Sequence, residues 1–178
     1  MGRTQHRLRP PGTYFVTIDS WSSRQLFKGD VAETLTDQIL QCRTKGYYLL
    51  HEFNVLPNHL HLLFTPVGET TLEKAVQMVK GGASFRIGKQ RKFLQLWQEG
   101  YHDWRCRDKE DFCAYAEYIR ENPVKAGLVA RASDWPYSSA NPKFAEFLDP
   151  MPQGLKARGK GGGDVNPKGL TRQTTMRS

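Results

Sequence analysis

A run of alternating side chains in the middle of the chain restricts local structure more strictly than any other segment. The residues from His59 to Phe64 read His-Leu-His-Leu-Leu-Phe and follow a Pro-Asn pair. Alternation with a period of two predicts a β-strand whose Leu60, Leu62 and Phe64 face a core. Both histidines then share the other face, about 6–7 Å apart along the strand. Two neutral imidazoles at that spacing can bind one cation, or they can be polar residues on the solvated side of a half-buried strand.

A second motif, about sixty residues further on, predicts a helix with polar side chains at its end. Residues 109–121 are mostly good helix formers, and Asp108 is suited to be their N-cap. Pro123 disfavours helical geometry at Asn122, so the helix is predicted to end there. Tyr118 and Asn122 are four residues apart and share one face of the last turn. An amphipathic helix that only packs a core is the alternative, but it leaves the paired hydroxyl and amide unexplained.

Four motifs in a fixed order resemble one protein family. They are the strand with His59 and His61, the segment from Trp97 to Tyr101, the segment from Tyr118 to Val129, and the segment from Trp135 to Ser139. Together they resemble the REP-associated tyrosine transposases, domesticated relatives of the small single-strand transposases of the HUH superfamily. The resemblance covers roughly residues 10 to 140. It implies an α+β fold, with a ferredoxin-like (split βαβ) antiparallel sheet and an added C-terminal catalytic helix.

The resemblance also implies a reaction, the cleavage and rejoining of single-stranded DNA at hairpin-forming repetitive extragenic palindromes through a 5′-phosphotyrosine. Tyr118 is the implied nucleophile, and His59, His61 and Asn122 are the implied ligands of Mg²⁺ or Mn²⁺. Such an ion polarises phosphate oxygens and offsets charge on the leaving 3′-oxygen. Asn122 departs from many transposase relatives, which carry glutamine there. Tyr115 is a competing nucleophile one turn earlier, but only Tyr118 has an asparagine four residues on.

The charge of the chain favours nucleic acid as a partner. Its 26 Lys and Arg against 18 Asp and Glu give a net charge of +8, which is typical of nucleic-acid-binding domains. Between Lys74 and Lys92 there are six basic residues and no acidic one, whereas a solvated helix face usually mixes both signs. The predicted DNA-binding residues are Lys80, Arg86, Lys89, Arg91, Lys92, Arg105 and Arg107. Nearby aromatic residues either stack on unpaired bases or pack a sheet face; they are Trp97, Tyr101, His102 and Trp104.

Cysteine content and hydropathy indicate the cellular compartment of the protein. The three cysteines show no Cys-x-x-Cys spacing, which argues against a disulfide framework or a zinc knuckle. No apolar run approaches the ~20 residues that cross a bilayer, and no apolar segment of a signal peptide follows the basic N-terminus. We therefore expect a cytoplasmic, nucleoid-associated protein without a membrane partner. The family branch implies a monomer rather than a dimer.

Length and local patterns predict one domain with flanking segments. Residues 1–11 are expected to be a flexible basic arm, residues 12–141 the transposase-like domain, and residues 142–178 a disordered basic tail. Strands are predicted at 14–19, 47–55, 59–65 and 96–107, and helices at 30–45, 72–87 and 109–122. This element order is that of a split βαβ sheet. Gly81 and Gly82 are expected to bend the second helix or end it.

Three functions are compatible with these features. The first is an active endonuclease and strand transferase for single-stranded DNA. The second is a non-catalytic regulatory protein that binds DNA hairpins on the same fold. The third, a rolling-circle replication initiator, shares the histidine pair but normally has a longer chain, often with a helicase domain. The presence of every catalytic residue type favours the first.

Overall fold

The computed structural model describes residues 9–90 and 95–159. Its strands are β1 (Tyr14–Asp19), β2 (Tyr48–Leu56), β3 (His59–Pro66) and β4 (His102–Arg105), and its α-helices are α1 (Asp30–Thr44), α2 (Leu72–Gln90) and α3 (Lys109–Lys125). The strands form one antiparallel sheet in the order β2-β3-β1-β4. That order confirms the predicted ferredoxin-like α+β fold. None of the helices in the described residues has the length and apolar character needed to span a membrane.

The alternation in β3 divides its side chains between two apolar layers. Leu60, Leu62 and Phe64 belong to the main core, which also contains the buried residues of α1 and α2. Leu63 belongs to a second cluster with Phe15 of β1 and buried residues of α3. Helix α3 therefore covers the sheet face from which the two histidines project, as the period of two requires.

Helix α2 is continuous through its two central glycines to Gln90, so the predicted end of the helix there is wrong. A Cβ atom on Gly82 would lie 2.1 Å from the side-chain nitrogen of Gln38 on α1. That nitrogen donates a hydrogen bond to the Met78 carbonyl at 3.0 Å. Gly82 thus permits a close approach of α1 to α2. This packing offsets the helix-propensity cost of about 1 kcal/mol that a glycine carries.

Helix α3 runs past Asn122 and through Pro123 to Lys125, so its predicted end at Asn122 is wrong. Proline has no N–H to donate to the carbonyl four residues earlier, here that of Ile119. The side-chain amide of Asn54, fully buried on β2, donates to this carbonyl at 2.9 Å instead. The sheet therefore replaces the missing helical bond, and Asn122 keeps helical geometry one turn after Tyr118.

The domain extends beyond its predicted boundary at residue 141. Residues Pro142–Phe147 form a short 3₁₀ helix, and Phe144 packs into the main core. Beyond it, the carboxylate of Asp149 accepts two hydrogen bonds from Arg43, at 3.1 and 2.9 Å. The prediction of a disordered tail is therefore wrong for residues 142–159. It depended on the average composition of the tail, which does not show that a few of its side chains pack against the domain. Residues 1–8 of the predicted arm and 160–178 of the predicted tail lie outside the described residues.

A strap of residues 151–158 packs on the N-terminal turn of α3. Met151 and Leu155 lie against the second apolar cluster. The Arg158 guanidinium donates to Asp108 at 2.9 and 3.0 Å and to the fully buried Asp111 at 2.7 Å. Two carboxylates and one cation thus join the strap to the helix that carries Tyr118.

We expect Arg158→Ala to lower the melting temperature by several degrees, because it leaves Asp111 buried without one of its partners. The hydrogen bond from Arg158 is the main cause that lowers the pKa of Asp108 to about 2. A depressed carboxyl pKa stabilises the fold above the unfolded value of about 3.9, and this contribution is lost as pH falls towards 2. Thermal denaturation at several pH values should show the difference from wild type shrinking below pH ~4.

The matched control is Arg131→Ala, which removes an exposed pair between Arg131 and Asp134. Surface ion pairs contribute about 0–1 kcal/mol, so this variant should melt close to wild type. Equal melting temperatures for Arg158→Ala and wild type would contradict a stabilising strap.

Candidate active site

The two histidines of β3 meet through their outer ring nitrogens. Their Nε2 atoms are 3.1 Å apart, and their ring centroids are 4.7 Å apart. His61 is 3 % exposed and His59 is half-buried. Burial lowers the pKa of His61 well below its ordinary value, and the neighbouring His59 lowers it further. His61 is therefore held as a neutral imidazole, the form that can offer a lone pair to a cation.

Helix α3 brings an amide to the same point. The side-chain nitrogen of Asn122 lies 3.1 Å from His61 Nε2. Half a turn of the amide about its Cβ–Cγ bond would present the amide oxygen at this point in place of the nitrogen. The structure thus brings together His59, His61 and Asn122, the three side chains that the resemblance implies as ligands.

The spacing of these atoms fits a divalent cation. Two ligands about 2.1 Å from an octahedral ion at a right angle are about 3.0 Å apart, whereas tetrahedral ligands are about 3.4 Å apart. The observed 3.1 Å separations are closer to the octahedral value. Within the described ranges no group of three His, Cys, Asp or Glu side chains could hold a metal. A cation at this point would therefore take the Asn122 amide as its third protein ligand.

Tyr118 lies beside these three side chains. Its ring is half-buried and contacts His61 edge-on at 5.4 Å between centroids and Phe15 at 5.8 Å. Burial raises the pKa of its hydroxyl, while a hydrogen bond with the Asn122 side chain acts in the opposite direction. The Lys125 ammonium lies 5.8 Å from the ring centroid. Positive charge at the site would favour ionisation of this phenol.

Tyr115, the competing nucleophile, has a different environment. Its ring stacks on Phe15 at 5.1 Å between centroids, with 20° between the planes. It is 5 % exposed, and burial raises its pKa to about 12. Tyr115 is therefore a packing residue of the second apolar cluster, whereas Tyr118 adjoins the histidines.

Two residues of the site were missed by sequence analysis. Thr17 Oγ1 lies 2.9 Å from His61 Nδ1, and Asn58 Oδ1 lies 2.8 Å from His59 Nδ1. The position of Asn58 next to His59 was a usable signal. The sequence around Thr17 contains no such signal, because only the pairing of β1 with β3 places this residue opposite His61.

Lys80, predicted to contact phosphate, has a structural role. Its ammonium donates to the carbonyls of Gln98 and Gly100, at 3.1 and 2.9 Å. Burial lowers its pKa. Lys80 also accepts through its own carbonyl from the indole of Trp97 at 3.1 Å. These bonds hold residues 96–101 against α2. Trp97 still forms an isolated β-bridge with Ser20, but the regular strand β4 begins at His102 rather than at the predicted Leu96.

Three predicted phosphate-binding arginines have partners within the chain. Arg86, Arg105 and Arg107 contact the Asp37 carboxylate at 3.4 Å, the Pro11 carbonyl at 2.9 Å and the Asp111 carboxylate at 2.7 Å, respectively. Arg107 stays 66 % exposed, so its remaining donors can still reach solvent. Lys89 is exposed and lies over the Phe85 ring at 4.3 Å. Arg91 and Lys92 lie outside the described residues.

The aromatic residues near β4 separate into packing and exposed groups. Trp97 contacts Phe27 in the core at 5.3 Å. Trp104 stacks on Phe15 at 5.2 Å, and the His102 ring lies 6.2 Å beyond it. His102 has a side chain that is 61 % exposed. Trp97 is therefore a packing residue of the main core. His102 is accessible on the sheet face that carries the site.

Comparison with known proteins identifies the family. Residues 14–122 match the family model described as "Transposase IS200 like". The chain belongs to the IS200-like transposase family. The matched range begins at β1 and ends at Asn122, so it includes every side chain of the site.

Two known proteins of this kind are similar to the chain. The REP-associated tyrosine transposase of Escherichia coli (strain K12) is 26 % identical over 141 residues, which cover 79 % of this chain and 83 % of that protein. A solved structure of a REP-associated tyrosine transposase bound to a REP hairpin superposes with a TM-score of 0.66 at 24 % identity, covering 93 % of this chain and 99 % of the other. The structural likeness supports the fold, and the resemblance found in the sequence is confirmed.

Proposed function

We propose that this transposase is a metal-dependent endonuclease and strand transferase for single-stranded DNA, with a 5′-phosphotyrosine intermediate. The observation that carries the proposal is the meeting of His59, His61 and Asn122 beside the ring of Tyr118. Two imidazoles and an amide leave part of a coordination shell open to phosphate oxygen and water. Mg²⁺ or Mn²⁺ bound there would polarise the phosphodiester and offset charge on the leaving oxygen.

The residues of the chain then have distinct tasks. Tyr118 attacks the phosphorus atom through its hydroxyl oxygen, whose proton passes to solvent. The bond between phosphorus and the 3′-oxygen breaks, and that oxygen leaves as a 3′-hydroxyl after it takes up a proton. The downstream strand stays joined to Tyr118 through its 5′-phosphate. Attack by a 3′-hydroxyl on the same phosphorus reverses the step without ATP, since the ester retains the energy of the broken bond.

A DNA hairpin formed by repetitive palindromes is the proposed substrate. A similar transposase is described as bound to a REP hairpin, and the net charge of +8 suits a polyanion. Exposed Lys89 and the partly exposed guanidinium of Arg107 are candidates for phosphate contacts. Such a substrate places the protein in the cytoplasm with the nucleoid, and we propose that it acts there as a monomer.

A cleavage assay tests the proposal. The substrate is a single-stranded oligonucleotide with a palindromic hairpin and unpaired flanks, labelled at either end. With Mn²⁺ or Mg²⁺ we expect a cut in the flank, a free 3′-hydroxyl on one fragment and a protein adduct on the 5′-phosphate of the other. EDTA should abolish both products, because the histidines and the amide alone do not offset charge on the phosphate.

Two outcomes would contradict the proposal. Cleavage at an undiminished rate in EDTA would remove the metal from the mechanism. Tight hairpin binding without cleavage in any divalent cation would instead support the non-catalytic regulatory function. A fully paired duplex of the same sequence is the control, and we expect it to stay uncut.

A further inference from the structure

Each histidine of the site has an oxygen atom against its inner ring nitrogen. His61 Nδ1 lies 2.9 Å from the Thr17 hydroxyl, and His59 Nδ1 lies 2.8 Å from the Asn58 side-chain oxygen. The Nε2 atoms of both rings point towards each other. Both imidazoles are thus oriented with the inner nitrogen against an oxygen and the outer nitrogen towards the proposed cation.

The position of the proton on an imidazole decides which of its nitrogens can bind a cation. A neutral ring carries one proton, on either Nδ1 or Nε2, and the other nitrogen has the lone pair. A cation held at Nε2 needs that lone pair, so the proton must be on Nδ1. A buried Nδ1–H in turn needs an acceptor, which metal-binding histidines usually find in a carboxylate, a carbonyl or water. Here a hydroxyl and an amide oxygen are in that position.

We propose that Thr17 is a positioning residue for the metal centre, whose hydroxyl accepts the Nδ1 proton of His61 and keeps the Nε2 lone pair open to the cation. The inference rests on the proposed function, because it assigns a task towards the same metal. Asn58 performs the corresponding task for His59. Neither residue contacts the substrate or the ion.

The sheet fixes Thr17 in this role. Thr17 lies directly opposite His61 in the pairing of β1 with β3, and it also pairs with His102 of β4. Its backbone is therefore held between two neighbouring strands. The register therefore places the Thr17 and His61 side chains opposite each other on one face of the sheet, where the hydroxyl lies 2.9 Å from Nδ1.

Burial makes the hydroxyl difficult to replace. Thr17 is half-buried but His61 is only 3 % exposed, so a valine methyl in the place of the hydroxyl leaves water little access to Nδ1. The ring then favours the tautomer with the proton on Nε2, since Nδ1–H would have no acceptor. That proton would occupy the space between the two rings where the cation is proposed to bind.

Asn58 should matter less than Thr17. Both Asn58 and His59 are half-buried at the turn between β2 and β3. Water can reach His59 Nδ1 from that side and accept its proton when the amide is lost. Replacing Thr17 should therefore weaken metal binding more than replacing Asn58, although Thr17 lies outside the histidine motif.

The test compares Mn²⁺ affinity in the full chain, measured by calorimetric titration. Thr17→Val keeps the branched shape and removes the hydroxyl, and we expect it to weaken binding by about 10–100-fold. Thr17→Ser keeps the hydroxyl and should bind within about threefold of wild type, because the acceptor for Nδ1–H remains. The ¹⁵N chemical shifts of the His61 ring, recorded without metal, should show more Nε2-protonated imidazole in Thr17→Val than in Thr17→Ser.

A third variant distinguishes a wrong role for Thr17 from a wrong metal site. His61→Ala removes the proposed ligand itself. If His61→Ala loses Mn²⁺ binding while Thr17→Val binds like wild type, the positioning role is wrong and the metal site stands. If His61→Ala also binds like wild type, the metal site is wrong, and the role of Thr17 fails with it. Should Thr17→Val not fold, Thr17→Ala provides the same comparison with Thr17→Ser.

Discussion

Replacing Tyr118 with phenylalanine should abolish DNA cleavage and the covalent protein–DNA adduct together. The substitution removes one hydroxyl and keeps the ring, whose edge contacts to His61 and Phe15 account for its packing. Fold, metal binding and hairpin binding should therefore stay close to wild type. Loss of the nucleophile should lower the cleavage rate by roughly 10⁴-fold or more, as loss of a covalent nucleophile does in other enzymes.

The neighbouring Tyr115 is the matched control. Tyr115→Phe also removes one hydroxyl from α3, one turn earlier, where the ring stacks on Phe15 in the core. We expect this variant to keep most of its activity. Mapping the peptide that carries the 5′-phosphate decides between the two residues. An adduct on Tyr115, or cleavage by Tyr118→Phe at the wild-type rate, would overturn the assignment; in the latter case an activated water would be the nucleophile.

The layered fold was predictable because its signals are local. The alternation in β3 depends on only six consecutive residues, and the short Pro-Asn turn before it predicts the hairpin with β2. The family resemblance supplied the order of the sheet, which the patterns alone could not have chosen. Helix α3 also begins directly after Asp108, the N-cap that the sequence predicts, and the Asp108 side chain accepts a hydrogen bond from the Asp111 N–H.

The errors arose where a distant residue overrides a local preference. Pro123 predicts the end of a helix, but the Asn54 amide from β2 satisfies the carbonyl that proline leaves without a donor. Gly82 predicts a bend or the end of α2, but the helix continues to Gln90, and the side chain of Gln38 from α1 packs beside the glycine. Arg158 lies in a stretch that reads as a solvated tail, yet its partners Asp108 and Asp111 lie about fifty residues earlier. No window of consecutive residues contains these pairs.

The candidate site was predictable in part for the same reason. His59, His61, Tyr118 and Asn122 stand in motifs, and their meeting follows from placing α3 over the histidine face of the sheet. The phosphate contacts assigned from charge alone were less successful. Lys80 and Arg86 belong to a basic run, but their partners within the chain depend on how α2 packs against the loop at 96–101 and against α1. Charge predicts that a surface is basic, and packing decides which side chains are available.

Loss of either site histidine should separate cleavage from DNA binding. His61→Ala removes a ligand of the proposed cation, and the cation contributes several kcal/mol to stabilising the transition state, so cleavage should fall by at least about 10³-fold. His59→Ala should have a similar effect. Hairpin affinity should change little, because it depends on phosphate contacts elsewhere on the basic surface. Gel-shift and cleavage assays on the same oligonucleotide measure both quantities.

His51 provides a control of the same residue type and the same burial. It is 3 % exposed like His61, and its Nε2 contacts the Thr65 hydroxyl at 2.8 Å much as His61 contacts Thr17. Its other ring nitrogen contacts the Asp149 carbonyl at 2.9 Å, so it connects β2 to the segment after the 3₁₀ helix. His51→Ala and His61→Ala should both lower the melting temperature, since each leaves a cavity and polar groups without partners. Only His61→Ala should lose metal-dependent cleavage at a temperature where both variants are folded. Equal loss of cleavage in both variants would mean that cleavage is lost because the fold is destabilised, and not because a metal ligand is missing.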